Sequence, residues 1–201
     1  MKVSAAVPRR TYRMTTRAEA AAATGGRILD AAAEVFWERP AEGISLDEVA
    51  RRAEVSVQTV IRRFGGKDGL FEATARREAD KVRSQRDLAP VGDARGAVSV
   101  LVDHYEAVGD RVLRMLAEEE RLPRMAEVVE QGRALHRDRC ERVFAQTLEA
   151  RSGVERRRLL AQLVAVCDVY MWKLLRKDAG LSRRQTELAL VGLLNPLLEA
   201  S

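Results

Sequence analysis

Two short helical segments lie back to back between Ile44 and Phe64, with no room between them for anything but a tight turn. Ser45 stands where an N-cap belongs. Glu48, three residues on, has the spacing to reach back as the second half of a capping box. Leu46, Val49, Ala50 and Ala53 then recur at the i, i+3, i+4, i+7 positions of one buried stripe. A second cap follows at Ser56, and Val60, Ile61 and Phe64 form the expected inner face of the helix it opens. That leaves Val57, Gln58, Thr59, Arg62 and Arg63 pointing outward. The pattern is a helix-turn-helix, and its outward set suits a major groove. Gln58 can pair with adenine through two hydrogen bonds, Val57 and Thr59 can touch a thymine methyl, and the arginines can reach guanine or phosphate.

Charge supports the same partner. The 201 residues carry a formal net charge of +5, with 17 Lys+Arg against 13 Asp+Glu up to Pro90 and 18 against 17 after it. The excess therefore accompanies the motif that would approach a polyanion, double-stranded DNA.

The flanks extend the pattern. Arg27-Ile28-Leu29-Asp30-Ala31-Ala32 precedes the motif, and Phe64-Gly65-Gly66-Lys67-Asp68-Gly69-Leu70 follows it. Residues 25–72 together resemble the TetR family of transcriptional regulators, with the motif at 46–64. The resemblance implies a leading helix that braces the motif, a recognition helix at Val57 to Phe64, and a phosphate-binding lysine, here Lys67, opening the fourth helix. It also implies DNA-contact roles for Ser45, Ser56, Val57, Gln58, Thr59, Arg62, Arg63 and Lys67. Two positions depart from the family pattern. Glu54 stands at the turn where glycine is usual, so a residue with a side chain must accept a left-handed conformation at a cost of about 1 kcal/mol. Ile61 replaces the usual tyrosine and removes a hydroxyl that could bond a phosphate.

Residues 1–24 hold Lys2, Arg9, Arg10, Arg13 and Arg17 against the single acid Glu19, and they read as a flexible basic arm. No apolar run follows these charges as in a signal peptide, and none later is long enough to span a membrane, so a cytoplasmic protein is expected. Cys140 and Cys167 are read as free thiols. His136 and Cys140 share a helical face, but without an obvious third ligand no metal or other cofactor is indicated.

From Lys67 onward the apolar residues recur at helical spacing, giving an all-α chain of about nine helices. Residues 73–201 would form a C-terminal domain for ligand binding and dimerisation. Pro90 ends the fourth helix, Gly109-Asp110 is expected to break the fifth from the sixth, and single helices are expected over 125–150 and 154–177. Ser182 and Gln185 make a capping box for the last. Leu159, Leu160, Leu163 and Leu174 wrap more than one side of the eighth helix, and Leu190, Leu193, Leu194 and Leu197 do so in the ninth. A helix apolar on two sides needs two partners, so these helices are expected to form a four-helix bundle across the two-fold axis of a homodimer. At least one of Leu163 and Leu194 is expected in the seam. Leu116-Ala117-Glu118-Glu119, Gly132-Arg133-Ala134-Leu135-His136 and Asp168-Val169-Tyr170-Met171-Trp172 resemble segments of actinobacterial TetR members.

The resemblance further implies a small-molecule effector enclosed by the fifth to eighth helices. Tyr105, Met115, His136, Cys140, Phe144, Asp168 and Trp172 are its candidate contacts, being large or polar residues among aliphatic ones. Asp168 in particular stands beside Val166, Cys167 and Val169 and needs a partner. Neither a nucleophile elbow nor a dinucleotide motif occurs, and Gly65-Gly66-Lys67-Asp68 fails as a phosphate loop because position 61 is Ile61. The expectation is a homodimeric regulator of a palindromic operator, released by its effector and not an enzyme. A repressor is the leading form and an activator the alternative.

Overall fold

The computed structural model describes residues 9–38, 45–121 and 123–199, and among them every regular element is helical. The order is α1 (Arg9–Glu38), α2 (Leu46–Arg52), α3 (Val57–Phe64), α4 (Lys67–Arg86), α5 (Ala94–Glu118), α6 (Pro123–Val143) and α7 (Ala145–Glu149). Then come α8 (Gly153–Val166), α9 (Val169–Lys173), a π turn that continues it (Leu174–Asp178), and α10 (Arg183–Glu199). Two compact units divide after Glu78, inside α4.

The first unit packs Ile28, Ala31, Ala32 and Val35 of α1 against Val49, Ala50 and Ala53, with Val60 and Leu70 closing the core. Arg77 donates to the Gly26 carbonyl at 2.8 Å and to the Asp30 carboxylate at 2.6 Å. These bonds tie α4 to α1 well past residue 72, where the sequence reading ended the domain. Residues 9–24, read from sequence as an arm, instead continue α1 without a break, and Gly25 and Gly26 lie inside the helix. The alanines from Ala18 to Ala23 favour helix strongly enough to carry it. The rest of the expected arm, residues 1–8, lies outside the described residues. Ser45 caps α2 by accepting from the Asp47 N–H at 3.1 Å, but Glu48 does not complete the capping box. Arg51 and Arg52, three and four residues on, draw its carboxylate into charge-assisted bonds of 2.7 and 2.8 Å. Glu54 does take the left-handed conformation, at φ 54°.

The second unit departs more from expectation. Gly109-Asp110 does not break a helix: α5 runs unbroken from Ala94 to Glu118. Gly109 serves a crossing. A Cβ there would lie 2.5 Å from Cζ3 of Trp172, so α9 can seat its indole on α5 only where α5 has no side chain. The helix expected over 125–150 is interrupted at Phe144. The helix expected over 154–177 is interrupted at Cys167 and Asp168, where Asp168 starts α9 by accepting from the Tyr170 N–H at 2.9 Å. The Ser182 and Gln185 capping box forms in full, with bonds of 2.9 and 3.3 Å. Leu163 and Leu194, at least one of them expected in the dimer seam, are each 0% exposed within this single chain. They lie in its core with Leu101, Val102, Leu148 and Leu190. No helix of the described residues is long and apolar enough to cross a membrane.

Two buried histidines stand in this unit. Burial, reinforced by the charges of Arg86 and Arg139, pulls His104 down to about 3, and burial with Arg86 lowers His136 as well. Both rings are therefore neutral when folded, while the unfolded chain protonates them near their ordinary 6.5. Below that pH the unfolded state binds more protons, so stability falls as the solution is acidified and is unaffected above it. Denaturation titrations should show a loss approaching roughly 1.4 kcal/mol per pH unit per histidine below that point, and His104→Gln should flatten the slope. For the crossing, helix propensity alone would make Gly109→Ala stabilising by about 1 kcal/mol. The contact with Trp172 should reverse that sign to a loss of about 1–3 kcal/mol. In the Trp172→Leu background the loss should shrink, which a double-mutant cycle would measure.

Candidate nucleic-acid interface and effector site

Ser56 caps α3 by accepting from the Thr59 N–H at 3.2 Å, and the two hydroxyls lie 2.9 Å apart. Gly65 ends the helix in the left-handed region at φ 77°, its N–H donating to the Ile61 carbonyl at 2.7 Å. Inside this short span Val60 is fully buried, and Val57 and Phe64 pack part of their surface on the same core. Val57 therefore turns further inward than the sequence suggested. Ile61 moves the opposite way. Expected on the inner face, it is 39% exposed, because Val60 and Phe64, four residues apart, already fill the stripe toward the core. The exposed residues of α3 are thus Gln58, Ile61, Arg62 and Arg63, with Lys67 exposed at the start of α4. Ile61 is the member that sequence reasoning missed, although its spacing from Gln58 could have shown it.

Not all the cations here are equally available. Glu48 is held down to about 2 by its bonds from Arg51 and Arg52, and Arg52 also donates to Glu38. Both α2 arginines are thereby committed to ion pairs. The guanidinium of Arg63 lies over Gly25 of α1, where a Cβ would come within 2.4 Å of Nη2. At the junction of α3 and α4, Arg62 and Lys67 are thus exposed cations open to a phosphate. Ser45 and Thr59 have their hydroxyls engaged in capping contacts at Asp47 and Ser56.

In the second unit the structure brings most of the proposed effector contacts together. Tyr105 is buried and donates through its hydroxyl to the Cys167 carbonyl at 3.0 Å. Its ring lies 5.9 Å from that of Trp172. The Trp172 indole donates to Glu106 at 3.3 Å, and Lys177 sits 5.3 Å over its ring. The indole is 1% exposed, fully partnered and seated on Gly109, so it serves the α5–α9 crossing. Asp168, half-buried, accepts from the Tyr170 N–H at the start of its own helix. Phe144 joins this core, whereas Met115 is half-buried and outside it.

His136 has both ring nitrogens occupied. Nε2 donates to the Val164 carbonyl at 3.1 Å, and Nδ1 accepts from Arg86 at 3.2 Å. No lone pair is left to pair with Cys140 on a metal. The Cys140 and Cys167 thiols are free and share a hydrogen bond, which lowers Cys140 and, together with burial, raises Cys167. Arg86, His104 and Arg139 complete the cluster, and none of the three was anticipated. In a chain with 35 Lys+Arg, a buried arginine looks like any surface one. Only the shared helical face of His136, Arg139 and Cys140 could have hinted at it.

Residues 28–74, which carry the α1–α4 core and the whole of α3, match the model of the bacterial regulatory proteins of the tetR family. Over 82 residues the chain is 26% identical to the HTH-type transcriptional repressor ComR of Escherichia coli (strain K12), an alignment that spans 41% of this chain and 39% of that protein. A transcriptional regulator from Rhodococcus sp. Rha1 has the same fold, with a TM-score of 0.65 at 23% identity over 87% of this chain and 96% of that one. So does the transcriptional regulator FadR from Bacillus subtilis, solved in complex with stearoyl-CoA, with a TM-score of 0.61 at 13% identity over 87% and 98%. Residues 28–74, with the capped α3 and its exposed Gln58, Ile61 and Arg62, are therefore a segment of the tetR type, and the chain as a whole shares its fold with these transcriptional regulators.

Proposed function

We propose that this chain is a homodimeric transcriptional regulator and not an enzyme: it binds a palindromic DNA operator through α3 and is released by a small-molecule effector held in the second unit. The observation that carries this reading is the exposed row on α3, in which a hydrogen-bonding amide, an aliphatic group and a guanidinium stand side by side on a helix capped at both ends. Such a row can read base edges, while Lys67 holds a phosphate. Repression is the favoured sense because the ComR relative is named a repressor. An effector is supported by the acyl-CoA bound in the FadR structure.

For dimerisation we favour the exposed side of α8 and α10, which pack on each other, in place of the buried Leu163 and Leu194. Leu188 and Leu193 are 53% and 43% exposed, and Gly192 between them leaves open space for a close approach. Ala161 and Ala165 are small exposed residues on α8.

Selection of binding sites from random duplexes should recover a palindrome. Gln58→Ala should relax preference at one position per half-site, costing about 1–3 kcal/mol on the best sequence only. Lys67→Ala should weaken all sequences alike and reduce the salt slope by about one per subunit. An unchanged base preference in Gln58→Ala would refute this division of roles. Leu188→Glu combined with Leu193→Glu should give a folded monomer by light scattering, with helical content intact and operator affinity lost. A dimer that survives both charges would place the interface elsewhere.

A further inference from the structure

The second unit buries two guanidinium groups without enough partners. Arg86, the last residue of α4, is 8% exposed. It donates through Nη2 to Nδ1 of His136 at 3.2 Å and stands 5.9 Å over the Tyr105 ring, yet its Nε–H meets no acceptor. The Arg139 side chain on α6 is 10% exposed; Nη1 lies 3.6 Å from the Asp87 carboxylate, and Nη2 is buried with no acceptor. Asp87 is itself half-exposed and shared with Arg142 at 3.1 Å. Burial and the charge of Arg86 lower Arg139 to about 10. Arg86 bonds His136, whose helix also carries Arg139 one turn on and Cys140 beside it, so the two guanidiniums stand in one region of this unit. Asp168 is the other nearby acid, and its bond goes to the Tyr170 N–H.

Two like charges held together out of water with idle donors are an unfavourable arrangement unless something supplies the missing acceptor. Guanidinium forks match the oxygens of a carboxylate or phosphate. The core beside them is apolar and aromatic, with the Tyr105 ring under Arg86 and Val143 and Phe144 one turn beyond Arg139. The segment between α4 and α5 adjoins the cluster through Asp87 and exposes Leu88 and Val91 at 75% and 56%.

We propose that Arg86 and Arg139 bind the anionic head, carboxylate or phosphate, of an amphiphilic effector whose apolar body lies against Tyr105 and Phe144. This rests on the effector-responsive reading above. The anion supplies the acceptors that Arg86 Nε and Arg139 Nη2 lack and takes over from Asp87 as the partner of Arg139.

Decanoate and decyl phosphate test the two heads, with decanol and decyltrimethylammonium as neutral and cationic controls, read by calorimetry and by thermal shift of the full chain. At least one of the two anions should bind the wild type tenfold or more tighter than either control. Binding should fall tenfold or more in Arg139→Met and in Arg86→Met, with part of it retained in Arg139→Lys. Arg139→Met should also melt at or above the wild-type temperature without ligand, because it removes a buried guanidinium whose one ion pair, to half-exposed Asp87, is weak and whose Nη2 has no acceptor, an outcome that a purely structural arginine would not give. Equal binding of decanol and decanoate, undiminished anion binding in Arg139→Met, or a wild type that binds neither anion at millimolar concentration would each overturn the proposal. Operator binding by the same preparations separates these outcomes from failure of the regulatory reading, which would appear as loss of DNA binding in the wild type itself.

Discussion

The first turn of every helix leaves backbone N–H groups without intrahelical partners, and the architecture of this all-α chain depends on how those groups are satisfied. Ser45, Ser56, Asp93 and Asp168 each accept from an N–H two or three residues on, and Ser182 does the same within a reciprocal box. These caps decide where helices begin and therefore which faces they present. Ser56 sets the phase of α3, so that Val60 lands in the core and Gln58, Ile61 and Arg62 face outward. Asp168 restarts the chain after Cys167 and sets the phase of α9, which brings Trp172 onto α5.

The first unit shows how a small core can present a precise surface. Short aliphatic residues of α1, α2 and α3 lock together, and ion pairs centred on Arg52 and Arg77 fasten the periphery. Because Arg51 and Arg52 are bound to Glu48, the positive charge of α2 is largely neutralised locally. The open cations are left beside α3. This concentrates attraction for phosphate around the residues suited to reading bases, the arrangement a sequence-selective DNA binder needs.

The second unit combines a packed crossing with a polar flaw. At the α5–α9 contact every group is satisfied: Gly109 accepts the indole, Glu106 takes its N–H and bonds Arg176, and Lys177 covers the ring. On the other side of Tyr105 the arrangement is the reverse, with Arg86 and Arg139 buried beside two neutral histidines and holding unused donors. Packed regions tolerate little change, whereas unsatisfied donors are places where a ligand gains the most from binding.

Local signals determined much of this protein in advance. The capped pair of helices, the left-handed Glu54, the full box at Ser182 and Gln185 and the all-helical class were legible because each depends on residues within one turn of one another. The outward position of Gln58, Arg62 and Lys67 could be read for the same reason. What required the tertiary structure was every choice between two locally acceptable outcomes. A glycine before an aspartate reads as a break, and only the Trp172 indole arriving from sixty-three residues away shows that Gly109 is a contact. Glu48 could cap or pair, and adjacent arginines won it. Leu163 and Leu194 are apolar on a doubly apolar helix in either case, and their assignment to the chain's own core follows from packing that periodicity cannot see. Arg86 and Arg139 look like surface residues in sequence, because the burial that leaves their donors unpaired arises only when α4, α5 and α6 come together.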